Sequence, residues 1–252
     1  MKTNISLRPR PARYLGVLAS LGALLLLGGT AHLQAGSANW DFDPGDGDWN
    51  NDSNWTPAAA PNGPNDTATF DASNITDLFL SQDTEVDGIV FNGGASEYFI
   101  TASPAFTFTL SGAGITNDSG AMQTFVVDVD AFGDAGVINF TNSATAGDMT
   151  TFLNNGGAVD GALGAQTNFF NSSSAGAGFF LTVGGSVSSA GGGNVQFHDN
   201  STAASGEFTN NGAANGNNGG FVQFLDSSTA ASGVFTNNGG TANGANGGAT
   251  RF

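Results

Sequence analysis

The 252-residue chain has no cysteine. Disulfide staples, a thiol nucleophile and lipid attachment through cysteine are therefore excluded. Cations are nearly absent too, with five Lys and Arg against 21 Asp and Glu. Lys2, Arg8, Arg10 and Arg13 all precede the first acidic residue, so beyond them a single guanidinium, Arg251, faces every carboxylate. Such a surface repels nucleic acid and anionic lipid, which removes nucleic acid from the partners expected. It also argues against lyases that set a basic residue against acidic sugars. Histidine is equally scarce. From residue 36 onward only His198 remains, so a Ser–His–Asp arrangement would have to use it. Strand alternation points His198 outward, and Thr141, Phe170 and Leu225 stand at equivalent repeat positions. It reads as a surface residue.

Apolar runs are short everywhere except Tyr14 to Gly29, and that run falls below the roughly 20 residues of a spanning helix. A basic stretch precedes it, and the small-residue sequence AHLQAGSA follows it. This is the pattern of a secretory signal peptide over residues 1–35, with cleavage expected after Ala35 or Ala38. A helical leader and an exported, extracellular or outer-surface location in a bacterium are the expectations.

What the chain does have is a repeat. Phe140, Phe169, Phe197, Phe224 and Phe252 recur every 27 to 29 residues, and Phe152, Phe180, Phe208 and Phe235 follow them at a near-constant offset. Self-similarity at this period marks a stacked array. Each unit holds two short runs, V-x-F-x-D/N and x-F-x-N, that alternate apolar with polar as half-buried strands do. Ser, Thr, Ala, Asn and Gly between them favour turns and work against helix. A unit of this length wraps once around a coil of about three strands, and coils stack at roughly 4.8 Å. The fold expected is all-β, a right-handed parallel β-helix over residues 63–252. Earlier segments, TATF, DLFL, TEVDGIVF, EYFIT, FTFTL, QTFVVDV and GVINF, read as its less regular first coils.

Residues 36–62 differ. They hold Trp40, Trp49 and Trp55, three of the chain's seven prolines, and the acidic residues Asp41, Asp43, Asp46, Asp48 and Asp52. A solenoid end needs a cover, and a Trp/Pro segment suits one. The carboxylates leave two readings open. Asp41, Asp43, Asp46 and Asp48 are candidate ligands for Ca²⁺, a hard cation that takes several oxygens. Alternatively they belong to a capping turn of solvated aspartates, because the EF-hand order is broken by Gly45 and Asp46. No other cofactor is indicated.

Several stretches carry a resemblance. The tryptophan-bounded opening, NWTP, PNGPNDTATF, EVDGIVFNGGASEYFIT, FTLSGAGITNDSG and the F-x-D-x-S-T-A-A-S-G-x-F-T-N-N-G-G repeat are similar to bacterial autotransporter-type surface proteins. The resemblance spans most of residues 40–252 and implies a β-helical passenger with a structural or adhesive role. Surface glycans or neighbouring and host-cell surfaces are the partners it implies. It brings no catalytic residue. The family's C-terminal barrel does not follow Arg251-Phe252, so outer-membrane association would need a part outside this sequence. The last coil, left open there, is expected to self-associate. The alternative is a carbohydrate-active β-helix enzyme, a glycoside hydrolase with Asp199 and Asp226 as paired carboxylates one coil apart. Those two share a repeat position with Asn142 and Asn171, where a turn-forming ladder is the simpler reading.

Overall fold

The computed structural model describes residues 36–214 and 218–252. The leader expected over residues 1–35 lies outside the described residues. The rest is a parallel β-solenoid whose strands alternate between two sheets.

One sheet begins with β1 (Ala38–Trp40) and β2 (Trp55–Thr56), followed by β3 (Gly63–Phe70), β5 (Thr84–Phe91), β7 (Thr107–Asn117) and β9 (Val137–Phe140). It continues through β11 (Gln166–Phe169), β13 (Asn194–Phe197), β15 (Phe221–Phe224) and β17 (Ala249–Arg251). The second sheet stacks β4 (Asp77–Phe79), β6 (Phe99–Ala102), β8 (Gln123–Val127) and β10 (Thr150–Asn154). Above them lie β12 (Phe179–Thr182), β14 (Glu207–Asn210) and β16 (Val234–Asn237). All neighbours pair in parallel except β1 and β2, which are antiparallel at the N-terminal end.

The two phenylalanine series become two stacks in the core. In the first sheet Phe140, Phe169, Phe197 and Phe224 stack with nearly parallel rings, their centroids 4.7, 4.7 and 4.9 Å apart. In the second, Phe125, Phe152, Phe180, Phe208 and Phe235 stack at 4.8 to 5.0 Å. Within one coil the two rings meet edge to face, as Phe169 and Phe180 do at 5.8 Å and 73°. Both geometries suit the ring quadrupole, and each is worth about 0.5–1.5 kcal/mol beyond area burial. The spacing is that of the coils, so backbone pairing and ring stacking set the same distance.

The expectation of about three strands per coil needs correction. The third side is not a strand but a row of single bridges, Gly114 to Thr145 to Ser174 to Thr202 to Thr229. Its S-T-A-A-S-G turns cannot extend because they hold left-handed residues, among them Ala204 (φ 47°) and Ala231 (φ 44°). Buried Ala144, Ala175 and Ala203 fill this narrow corner.

The tryptophans close the N-terminal end. Trp49 packs against Trp55 at 4.9 Å and Phe108 at 5.0 Å, and Trp55 against Phe70 at 5.6 Å. Every indole N–H has an acceptor: Ile75 O for Trp40, Pro61 O for Trp49 and Trp49 O for Trp55. A buried Trp without such a partner would lose much of its packing gain.

Candidate functional site

The repeat position shared by Asn142, Asn171, Asp199 and Asp226 lies just after the inward phenylalanine of the first sheet. All four residues are left-handed, with φ between 53° and 57°. Asn and Asp tolerate that region better than other residues with a Cβ. Their side chains then bond from coil to coil. Asn171 Oδ1 accepts the Asn142 N–H at 3.0 Å, Asp199 Oδ2 accepts that of Asn171 at 2.8 Å, and Asp226 Oδ2 that of Asp199 at 3.1 Å. Asp199 and Asp226 thus sit in one ladder, exposed, each holding a backbone donor of the preceding coil. Those donors offset the repulsion expected between like charges one coil apart.

His198 is half-buried rather than fully outward. Its ring stacks on Phe170 at 4.7 Å and 18°, one coil back. The imidazole extends an outer ridge of the turn.

The N-terminal aspartates do not converge. Among the described residues no three His, Cys, Asp or Glu side chains gather into a metal-holding group. Asp41 Oδ1 accepts from Thr56 Oγ1 at 2.7 Å, and Asp48 Oδ1 from Ser81 Oγ at 2.9 Å. Asp43 meets only Asn74 Nδ2, at 3.4 Å. Asp46 accepts from Asn54 Nδ2 at 2.6 Å, from the Asp48 N–H at 3.0 Å and from Asn51 Nδ2 at 3.2 Å. These donors, that of Asn54 first, hold its carboxyl below the usual aspartate value. Buried Asn54 returns the favour to the backbone, its Oδ1 accepting the Gly45 N–H at 2.9 Å. These hydrogen bonds tie the cap together.

The outer faces of the two sheets differ chemically. The first carries the register Thr109, Asn139, Asn168, Gln196, Gln223, where Asn168 Nδ2 donates to Asn139 Oδ1 at 3.1 Å. The second carries Asp77, Phe99, Thr124, Thr151, Phe179, Glu207 in one outward register. Beside it runs Phe79, Thr101, Val126, Leu153, Leu181, Thr209. Phe99 and Phe179 are 42% and 38% exposed, large values for aromatic residues within a sheet. A depression of about 250 Å³ adjoins Phe179, Leu181, Glu207 and Thr209. Sequence reasoning passed over this face. The signal was present in the doublets Tyr98-Phe99 and Phe179-Phe180, because adjacent residues of a strand point to opposite sides.

No protein family, curated protein or solved structure is found to match this chain.

Proposed function

We propose that this chain is an exported, non-catalytic β-solenoid with a structural or adhesive role at a bacterial surface, of the autotransporter-passenger type. One observation supports it most. The residues an enzyme would keep free for chemistry serve here to join coil to coil: Asp199 and Asp226 accept backbone N–H groups, and His198 stacks on Phe170. The rival is glycoside hydrolysis by the Asp199 and Asp226 pair. That chemistry requires one carboxyl as proton donor and the other as nucleophile or base. In this ladder both carboxylates are engaged as acceptors of the backbone N–H of the coil before.

Export rests on the basic, apolar and small-residue order of the first 35 residues. Of the two cleavage points, the one after Ala35 leaves Ser37, whose Oγ accepts the Thr67 N–H at 2.9 Å, and the whole of β1. Cleavage after Ala38 would remove both Ser37 and the buried first residue of that strand. Expression of the full chain in a Gram-negative host, with N-terminal sequencing of the product outside the cytoplasm, tests this. The expected first residue is Gly36. Retention of the uncleaved chain in the cytoplasm would end the export reading.

A further inference from the structure

The outward faces of both sheets are largely uncharged on a strongly acidic chain, but the second exposes aromatic rings where the first carries Thr, Asn and Gln. From β6 to β12 its two central registers hold Phe99, Thr101, Thr124, Val126, Thr151, Leu153, Phe179 and Leu181, none of them charged. One register runs Asp77, Phe99, Thr124, Thr151, Phe179, Glu207, Val234, nearly palindromic over its first six positions. Two aromatic rings therefore stand at either end of a lower threonine floor, three coil steps or about 14 Å apart at about 4.8 Å per step. Beyond each ring lies a carboxylate.

Size and charge decide what fits. Seven strands of about four residues make a strip roughly 29 Å by 13 Å. Its projected area, below about 400 Å², is half of the roughly 800 Å² per partner in a standard protein interface. A second copy would also bring its own carboxylates against these. The strip's backbone groups are paired within the sheet, so strand addition across the face is closed to a peptide. What remains is a narrow ligand that offers both apolar C–H faces and hydroxyls at short repeat. Sugar rings do this. Their C–H faces are drawn to the negative faces of aromatic rings, and their hydroxyls pair with threonine hydroxyls and with the end carboxylates. Without a cation on the strip, an anionic sugar gains nothing and is repelled.

We propose that this strip binds a neutral, linear oligosaccharide lying along the solenoid axis, with Phe99 and Phe179 as stacking platforms and Thr124 and Thr151 between them. This deepens the adhesive reading given above and rests on it for setting only, since export is measured by leader cleavage and binding on the purified chain.

Affinity electrophoresis of the full chain through gels containing hydroxyethylcellulose, galactomannan or polygalacturonate tests the proposal. At least one of the two neutral polymers should retard migration, and polygalacturonate should not. Phe99→Ala and Phe179→Ala should each weaken the neutral interaction tenfold or more. Phe179→Leu, which keeps apolar bulk but loses the ring, should weaken it as well. Gln196→Ala, on the opposite face, should leave it unchanged. Circular dichroism and the melting midpoint report that each variant is folded, and the Leu variant keeps the test intact if an Ala variant is not. No retardation by either neutral polymer overturns the proposal. So does equal retardation by polygalacturonate, or full binding by the Phe99→Ala/Phe179→Ala double variant. A sedimenting dimer that these substitutions dissolve would assign the face to a second copy instead.

Discussion

At the scale of single residues, the ladder of Asn142, Asn171, Asp199 and Asp226 does two separable things. It supplies a left-handed backbone, and it supplies an oxygen for the N–H of the coil before. Asn171→Gly keeps the first and removes the second, whereas Asn171→Ala loses both. Left-handed backbone costs a residue with a Cβ about 1–2 kcal/mol, so denaturant unfolding should find the Ala variant less stable than the Gly variant by about that margin. Equal stability would mean that the turn relaxes out of its left-handed form. Tyr98 carries a different test. Its ring is in the core and its hydroxyl donates to Asp71 O at 2.6 Å. Burial, with the nearby Asp71 charge adding to it, pushes the phenol from 10.0 up to about 12. A group raised in the folded state contributes stability that is complete below its unfolded value and is lost as pH climbs through the folded one. The window is therefore pH 10 to about 12. Alkaline unfolding of the wild type should steepen there relative to Tyr98→Phe, which has no proton to lose. Parallel curves for the two would show that the phenol ionises freely in the fold.

At the scale of elements, the stack is set by contacts that admit no side chain at all. A Cβ on Gly192 would meet Gly219 O at 2.2 Å, and one on Gly219 would meet Gly247 O at 2.2 Å. Gly239, by contrast, has nothing within 4 Å of that position. Gly192→Ala should cost about 1–3 kcal/mol, the range for forced overpacking, and Gly239→Ala should stay within about 0.5 kcal/mol, as open surface sites do. Thermal melts of the pair compare like with like. This level of organisation was largely legible in the sequence. The strands TATF, DLFL, EYFIT and FTFTL all form, and Phe152 does stack on Phe180. A run of alternating residues reports its own strand because burial on one face imposes the period. The third side was not legible, since a bridge of one residue has no period to detect. The N-terminal aspartates were legible only as two open readings, metal ligands or a capping turn. Closeness in sequence brought Asp41, Asp43, Asp46 and Asp48 into the first of these, but Thr56, Asn54 and Ser81, the last more than thirty residues away, take up three of them separately. The outward aromatics were legible only through doublets such as Phe179-Phe180, and only once the inward member of each pair was known.

At the scale of the whole molecule, charge works against the fold that packing builds. All 21 carboxylates lie beyond residue 36, and the lone guanidinium there, Arg251, sits 4.1 Å over the Phe221 ring. A solenoid holds its coils in a fixed row, each touching only its neighbours. The carboxylates are thus kept closer together than in the unfolded chain, and their repulsion subtracts from stability. Salt acts on this term directly. The screening length falls from about 30 Å at 0.01 M to about 8 Å at 0.15 M and about 3 Å at 1 M. At about 4.8 Å per coil, several coils lie within the first distance, only the next one within the second, and none within the third. The melting midpoint of the chain should therefore rise with sodium chloride, most steeply below about 0.15 M, where interactions across several coils are removed. Above that, only nearest-coil pairs such as Asp199 and Asp226 remain to be screened, and their carboxylates already hold backbone N–H groups. The slope should flatten. A midpoint that falls with added salt would mean that attraction, not repulsion, dominates the surface. A midpoint that does not move would mean that the unfolded chain keeps its carboxylates as close together as the solenoid does.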